Sequence, residues 1–370
     1  MRVQVVDPSA YTPPYDHALC AALARAGADV ELVTSRFAYG AAPAPDGYRL
    51  SERFYRHAVG DPASRLRVAT KLAEHVPDML ALRRRAAAAD VVHFQWLAVQ
   101  PLDRFLLPRR PVVLTAHDLL PREPRPFQLH AQRRLYGAVD AVVAHSEYGR
   151  RRLVDELGVQ PGKVRVIHHG TFEFLTRAPE GPRPPELAPD PGERPVVLFF
   201  GLLRPYKGVD VLLQAWRSVA SNGELWIVGR PRMDLDRLRA IAPDGVRWVP
   251  RYVSDAELVA SFRRADVVVL PYLRTDRLDF SGVLATALAF GKAVVLSDVG
   301  GFSEVAQAGA ARLVTPGDAG ALAAALGALL SDPEERRRLA QGAREAADGA
   351  YSWERAAELT LALYRELSGG

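Results

Sequence analysis

The sequence predicts a two-domain α/β protein, each domain a doubly wound, mostly parallel sheet, and three observations carry that expectation. Short apolar runs alternate with helical segments along both halves of the chain. Its 370 residues exceed what one ordinary core takes up, and a proline-rich stretch divides it near the middle.

In the first half, strands are expected near Val3 to Val6, Val30 to Thr34, Val91 to Phe94, Val112 to Thr115, Val142 to Ala144 and Val164 to Ile167. Such runs lack polar alternation, as strands buried on both faces do. Arg177 to Pro195 holds seven prolines and no periodic apolar pattern, so it reads as a linker. In the second half, strands are expected near Val196 to Phe200, Leu225 to Val228, Val246 to Val249, Val267 to Leu270, Val294 to Leu296 and Arg312 to Val314. The tail from Asp332 is helical, with Trp353 and Tyr364 on an amphipathic last helix. The expected divisions are residues 1–176, 177–195, 196–350 and 351–370.

Composition narrows the function classes. The single cysteine, Cys20, lies in an apolar helical setting, which excludes an internal disulfide framework and fits a reducing cytosol. The start reads as a strand rather than a signal peptide, and no apolar run reaches membrane-spanning length. Residues 1–177 hold 25 Lys plus Arg against 18 Asp plus Glu, whereas the whole chain has 48 against 43. A basic first half suits an acidic acceptor or peripheral contact with an anionic membrane, here the inner face of the cell membrane, and equally suits an Arg-rich solvated surface. The clusters Arg83-Arg84-Arg85 and Arg150-Arg151-Arg152 have no aromatic platform beside them, which argues against nucleic acid.

Two segments carry chemistry. After the strand at Val267 to Leu270, a polar loop ends at Ser281-Gly282, and an apolar helix then runs from Val283 to Phe290 and stops at Gly291. The free N–H groups and dipole at that helix start favour an anion, and a diphosphate fits. After the strand at Val196 to Phe200 come Gly201 and two cations three residues apart, Arg204 and Lys207, then Gly208 before a helix. An Arg fork and a Lys point charge together suit a departing nucleoside diphosphate.

These segments resemble a known family. The runs R-P-Y-K-G-V-D at 204–210, A-D-V-V-V-L-P-Y at 265–272, S-G-V-L-A-T-A-L-A-F-G-K-A-V-V at 281–295, D-V-G-G-F-S-E at 298–304 and Y-S-W-E-R from Tyr351 are similar to those of the family-4 retaining glycosyltransferases of GT-B fold (glycosyl transferases group 1). The resemblance covers the C-terminal half. It implies two Rossmann-like domains facing across a cleft, with the nucleotide-sugar donor on the second and the acceptor (a glycan, a lipid-linked or a small-molecule hydroxyl) on the first. It further implies a last helix that crosses back to the first domain, transfer with retention, and no metal or other cofactor. One departure stands out: the family's two glutamates flanking the donor loop and helix are replaced by Leu278 and Thr286, with Asp279 adjacent to the first position. The contacts to ribose and donor sugar are thereby put in question. Alternatives are another nucleotide-sugar enzyme of this fold, an epimerase or an inverting transferase, and a non-catalytic binding subunit.

Candidate residues follow from both lines. The catalytic candidates are His117, at a strand end where the resemblance implies a donor-sugar contact, with Arg204, Lys207 and Asp279. Donor-binding candidates are Arg251, Tyr252 and Val253, implied to lie beside the base, with Ser281, Gly282, Val283, Thr286 and Glu304. Tyr15, Asp16 and His17, in the first strand-to-helix segment, and the strand-end His93 are acceptor-side candidates, with helix capping and packing as their structural alternatives. Asp234-x-Asp236 resembles a metal motif of other transferases but opens a predicted helix, where acids face the dipole favourably.

Overall fold

The computed structural model describes residues 1–38, 40, 42–61, 64–97, 99–120, 127–179, 181–275 and 279–369. The chain divides into two units, Met1–Gly170 with Ser352–Gly370, and Thr171–Tyr351.

The first unit is built on seven parallel strands: β1 (Arg2–Asp7), β2 (Asp29–Ser35), β3 (Arg49–Phe54), β4 (Val91–Phe94), β5 (Val112–Thr115), β6 (Ala141–Ala144) and β7 (Val164–Val166). Their order is β3-β2-β1-β4-β5-β6-β7, so the winding reverses between β1 and β4. Val3 there pairs with Val30 on one side and Val91 on the other. β3 is the strand not expected from sequence. R-L-S-E-R-F is a polar edge strand of which only Phe54 is buried, so it has no apolar run to betray it. The last helix, Trp353–Ser368, belongs to this unit and packs on the helix Pro13–Arg25. Ser352 caps it through Arg355 N, and Trp353, Leu361 and Tyr364 form its buried stripe.

The second unit holds β8 (Val196–Phe200), β9 (Glu224–Val228), β10 (Val246–Val249), β11 (Val267–Leu270), β12 (Ala293–Ser297) and β13 (Ala311–Val314), all parallel, in the order β10-β9-β8-β11-β12-β13. Side chains alternate between two apolar layers: Leu198 and Val268 join one, Val197 and Val269 the other. Its winding reverses between β8 and β11, and ligands of open α/β sheets bind beyond the strand ends at such a reversal.

The proline-rich segment expected as a linker is anchored within the second unit. Leu187 is buried in the core. Because proline carries no N–H, such a segment has more carbonyls than it can pair internally, and arginines supply the missing donors. Arg247 donates to the Leu187 and Pro189 carbonyls, Arg263 to those of Thr176 and Ala178, and Arg264 to those of Gly192 and Arg194. Among the described residues, no helix is long and apolar enough to cross a membrane.

Candidate functional site

In the second unit, glycines fold the loop after β8 tightly enough to bring its cations to the winding reversal. Gly208 has φ +65°, and a Cβ there would meet the Pro271 carbonyl oxygen at 1.9 Å. Gly229, with φ +147°, approaches the Gly201 carbonyl equally closely. No other residue fits either position. The loop thus lies directly on the chain leaving β9 and β11, with Leu273 N donating to the Tyr206 carbonyl.

Lys207 is only 7% exposed, and its Nζ donates to the Tyr272 hydroxyl at 2.8 Å while lying 4.8 Å from the centre of that ring. The Tyr272 hydroxyl is 3.3 Å from Ser281 Oγ, at the start of the helix Gly282–Ala289. A side chain at Gly201 would press on Nζ at 3.1 Å and on Val283 at 3.2 Å. Lysine, tyrosine and helix start therefore form one assembly around Gly201. Ser281 makes no side-chain cap, so it leaves the first N–H groups of the helix free of that contact. Arg204 is half-buried, and its guanidinium has no protein partner among the described residues. Positive groups from two loops gather here, which is what an anion requires.

The other donor-side candidates divide. Thr286 is buried and its hydroxyl donates to the Gly282 carbonyl at 2.9 Å, so its proton is used inside its own helix. Leu278, the other position of departure, lies outside the described residues. Burial raises the Tyr351 phenol, and the charges of Glu304 and Asp279 add to that rise. Arg251 does not offer its side chain to a ligand. Its fork is bidentate to both Glu186, at 2.8 and 3.0 Å, and Glu257, at 2.6 and 3.1 Å, and its own N–H donates to the Val249 carbonyl. Glu257, held near 2 by that arginine, completes a capping box with Ser254. Val253 is core, whereas Tyr252 is 71% exposed. Asp234 Oδ1 accepts from Asp236 N at 2.9 Å, a turn cap. Among the described residues no three His, Cys, Asp or Glu side chains gather as a metal would need.

In the first unit, the acceptor-side candidates turn out to be largely packing residues. His93 is buried with Nδ1 2.6 Å from the Tyr364 hydroxyl and Nε2 2.7 Å from Thr115 Oγ1, and burial lowers it to about 3. Both ring nitrogens are used. His17 is 2.5 Å from the Tyr48 hydroxyl and is lowered to about 4 by burial. Asp16 is raised well above the carboxylate range by burial and by Asp7, which itself accepts from the N–H groups of Ser9, Tyr11 and Thr12. This pair shapes the loop after β1. Tyr15 is buried among the rings of His117, His145, His169 and Trp353, at 4.6 to 5.4 Å.

His117 does stand at an opening. It stacks on Trp96 at 5.2 Å and borders a cavity of about 410 Å³ beyond the ends of β4 and β5. Its Nε2 is 3.0 Å from the Gln95 side-chain amide, and its Nδ1 is 3.3 Å from His145 Nε2. Burial and the nearby histidines push His117 well below the ordinary imidazole range.

Residues 15–171 match the family model Glycosyltransferase Family 4, and residues 194–332 match Glycosyl transferases group 1. A D-inositol 3-phosphate glycosyltransferase of Kineococcus radiotolerans is 30% identical over 94% of this chain and 88% of its own length. The chain belongs to glycosyltransferase family 4. Solved structures give the transferase its fold, GT-B. Sucrose-phosphate synthase from Thermosynechococcus elongatus matches with TM-score 0.77 at 22% identity over 100% of this chain and 99% of that one. Anabaena HepE, solved in complex with UDP and glucose, matches with TM-score 0.70 at 20% identity over 99% and 100%.

Sequence reasoning about this glycosyltransferase overlooked Tyr272, Gly229, Gln95 and the buried Asp7. Tyr272 closes the A-D-V-V-V-L-P-Y run, and Gln95 stands one residue beyond β4, so the strand-end rule that selected His93 and His117 could also have found them. Gly229, the first residue after β9, carried the same signal.

Proposed function

We propose that this glycosyltransferase moves a sugar from a nucleoside-diphosphate sugar to a hydroxyl acceptor with retention and without a metal. The observation that carries the reading is the assembly of Lys207, Tyr272 and the uncapped helix start at Ser281, with Arg204 three residues before Lys207 and its guanidinium without a protein partner among the described residues. Fixed positive groups stabilise charge that develops on a leaving diphosphate, and they need no reorganisation as it forms. HepE, solved with UDP, is consistent with such a donor. In the step itself, the bond from the anomeric carbon to the diphosphate oxygen breaks. The acceptor oxygen bonds that carbon from the same face, and its proton passes to the departing phosphate oxygen. His117, neutral at the opening of the first unit, is placed to hydrogen-bond a sugar hydroxyl rather than to supply charge.

The first unit's basic face suits an anionic membrane through one of its two Arg clusters only. Arg150 and Arg152 are paired with Glu147 and Glu156. By contrast, Arg83, Arg84, Arg109 and Arg110 surround a groove beside Leu80 with no carboxylate partner among the described residues.

The test is a nucleotide-sugar panel with NMR of the product anomer, repeated in excess EDTA. Retention and undiminished turnover are expected. An inverted product, or activity lost in EDTA and restored by Mn or Mg, overturns the corresponding part.

A further inference from the structure

The outward face of the helix Arg65–Arg85 has the wrong chemistry for water. Positions three and four apart share a helix face, and on a surface helix the outward set is normally charged or polar. In the second unit the helix Pro333–Asp348 keeps that rule, with Glu334, Arg337, Gln341, Arg344 and Glu345 exposed on one side. On Arg65–Arg85 the corresponding set is Leu66, Ala69, Ala73, Pro77 and Leu80, all exposed and none polar. Leu72, beside them, is 51% exposed. The two acids of this helix face elsewhere and are engaged, Glu74 accepting from His57 N and Asp78 from Tyr55 N. Lys71 also turns inward, with Nζ 4.9 Å from the centre of the Tyr55 ring.

The apolar strip continues onto the neighbouring helix Gln100–Leu106. Arg83 donates to the Phe105 carbonyl at 3.3 Å and so joins the two helices; Leu102 and Phe105, three residues apart, are 46% and 64% exposed. Among the described residues, seven of the twelve exposed large apolar side chains lie between Val59 and Phe105, a concentration rather than the ordinary scatter. Arginines border the strip. Arg65 stands at one end, and at the other Arg83, Arg84, Arg109 and Arg110 surround the groove beside Leu80 and Ala87. Arg104 lies over the Phe105 ring at 4.1 Å. None of these arginines has a carboxylate partner among the described residues.

Exposed leucines and a phenylalanine call for an apolar phase, and unpaired guanidinium groups call for anions. An anionic bilayer supplies both at one surface, because arginine heads can stay among the phosphates while the apolar side chains enter the acyl boundary. An acidic protein would satisfy the charges, but protein interfaces seat their anchor side chains in fitted pockets, and a convex row running about 21 Å from Leu66 to Leu80 suits a plane. We infer that this face docks on an anionic lipid surface with the helix Arg65–Arg85 lying along the interface, and that Leu66, Leu72, Leu80 and Phe105 enter the acyl boundary. The inference takes its anionic partner from the membrane reading above and adds the insertion; it does not depend on the transfer reading.

The experiment is co-sedimentation of the full chain at low salt with vesicles of phosphatidylcholine alone and of phosphatidylcholine with phosphatidylglycerol. Binding should be confined to the acidic vesicles. Phe105→Ser, and Leu72→Ser combined with Leu80→Ser, should each weaken it about three- to tenfold, part of what full burial of such side chains gives. Arg84→Gln with Arg109→Gln should weaken it about fivefold per arginine. Because these side chains are exposed, melting temperatures should not change. A second readout is an environment-sensitive dye on Leu80→Cys, which is site-specific because Cys20 is buried. Its emission should shift to shorter wavelength with acidic vesicles, and that of a dye on Glu334→Cys should not. Unaltered binding in both serine variants, with no shift at position 80, overturns the insertion and leaves the charge-based membrane reading in place. No binding to acidic vesicles overturns both. A dimer seen by light scattering without lipid, and dissolved by the serine variants, assigns the face to a second copy and also overturns the inference. Diphosphate release from a nucleotide sugar without lipid should be the same in the serine variants as in the wild type, and it reports on the transfer reading separately.

Discussion

Replacing Lys207 by Met separates its electrostatic role from its packing role. The substitution keeps the buried stem and removes the ammonium, its 2.8 Å hydrogen bond to Tyr272 and its position over that ring. For stability the terms oppose each other. A charged hydrogen bond is worth about 1.5–3 kcal/mol and a cation–π contact about 0.5–2 kcal/mol. Desolvating an ammonium that is only 7% exposed costs several kcal/mol, and that cost disappears in the variant. The net stability change should therefore stay within about 2 kcal/mol of either sign, a melting shift of roughly 4–8 °C for a unit of this size. For catalysis nothing offsets the loss. One preorganised donor removed from a developing oxyanion costs about 10²- to 10³-fold in rate, or about 2.7–4 kcal/mol. The assay is kcat/KM from released nucleoside diphosphate, beside the melting temperature and UDP affinity. Tyr272→Phe supplies the control: it keeps the charge and loses only the hydroxyl that fixes it, so its loss should be smaller, about tenfold. A Lys207→Met enzyme within threefold of wild type, at unchanged melting temperature, refutes the assignment of this assembly to the diphosphate.

Three further outcomes follow from the same geometry. His93, His145, His17 and His169 are lowered to about 3, 3, 4 and 4 by burial, so the unfolded chain binds more protons than the native one between those values and the ordinary 6.5. Stability should fall as pH drops through that window, by up to about 1.4 kcal/mol per pH unit per histidine; Asp16, raised by burial, works in the opposite sense, and a His93→Gln variant with an unchanged slope in chemical denaturation would contradict the argument. Arg251→Met should destabilise the protein by about 1–3 kcal/mol, since exposed pairs are discounted by solvent. It should also remove the contribution of Glu257, which is present above about 4.5 and lost as pH falls towards 2; a more than tenfold rise in donor KM would instead return that guanidinium to the donor site. Binding to acidic liposomes at low salt should fade near 0.5 M, where the Debye length is about 4–5 Å, and should weaken when Arg83, Arg84, Arg109 and Arg110 become Gln. Equal recovery with neutral vesicles would point to a merely solvated surface.

What the sequence made legible follows a physical division. Strands buried on both faces announce themselves as apolar runs, and twelve of the thirteen were expected within a residue or two of their positions. β3 escaped because an edge strand needs only one buried side chain. The Arg204 and Lys207 pair was visible because its setting is local, a strand followed by glycines and a helix. His93 and His17 looked equally suited to ligands at strand ends or helix starts, yet their ring partners come from Tyr364 and Tyr48, 271 and 31 residues away. A histidine's availability is decided by such distant partners, which local pattern does not carry.

The replaced glutamates show how a departure at two positions can leave the surrounding chemistry intact. A carboxylate at position 286 would have no need of the Gly282 carbonyl, whereas the threonine hydroxyl donates to it and seals that face of the helix. Negative charge has not left the neighbourhood. Asp279, on the loop before the helix, and Glu304, on the helix Phe302–Gln307, both act on the Tyr351 phenol, and Gly301 N donates to the Asp279 carbonyl at 2.9 Å. The D-V-G-G-F-S-E turn is thereby tied to the donor loop by its backbone. Asp279 is 0% exposed, so its carboxylate is held in the packing between these two loops. The replacement of both glutamates leaves the cationic assembly at Lys207 unopposed by a carboxylate on the helix start, where a diphosphate would meet it as repulsion.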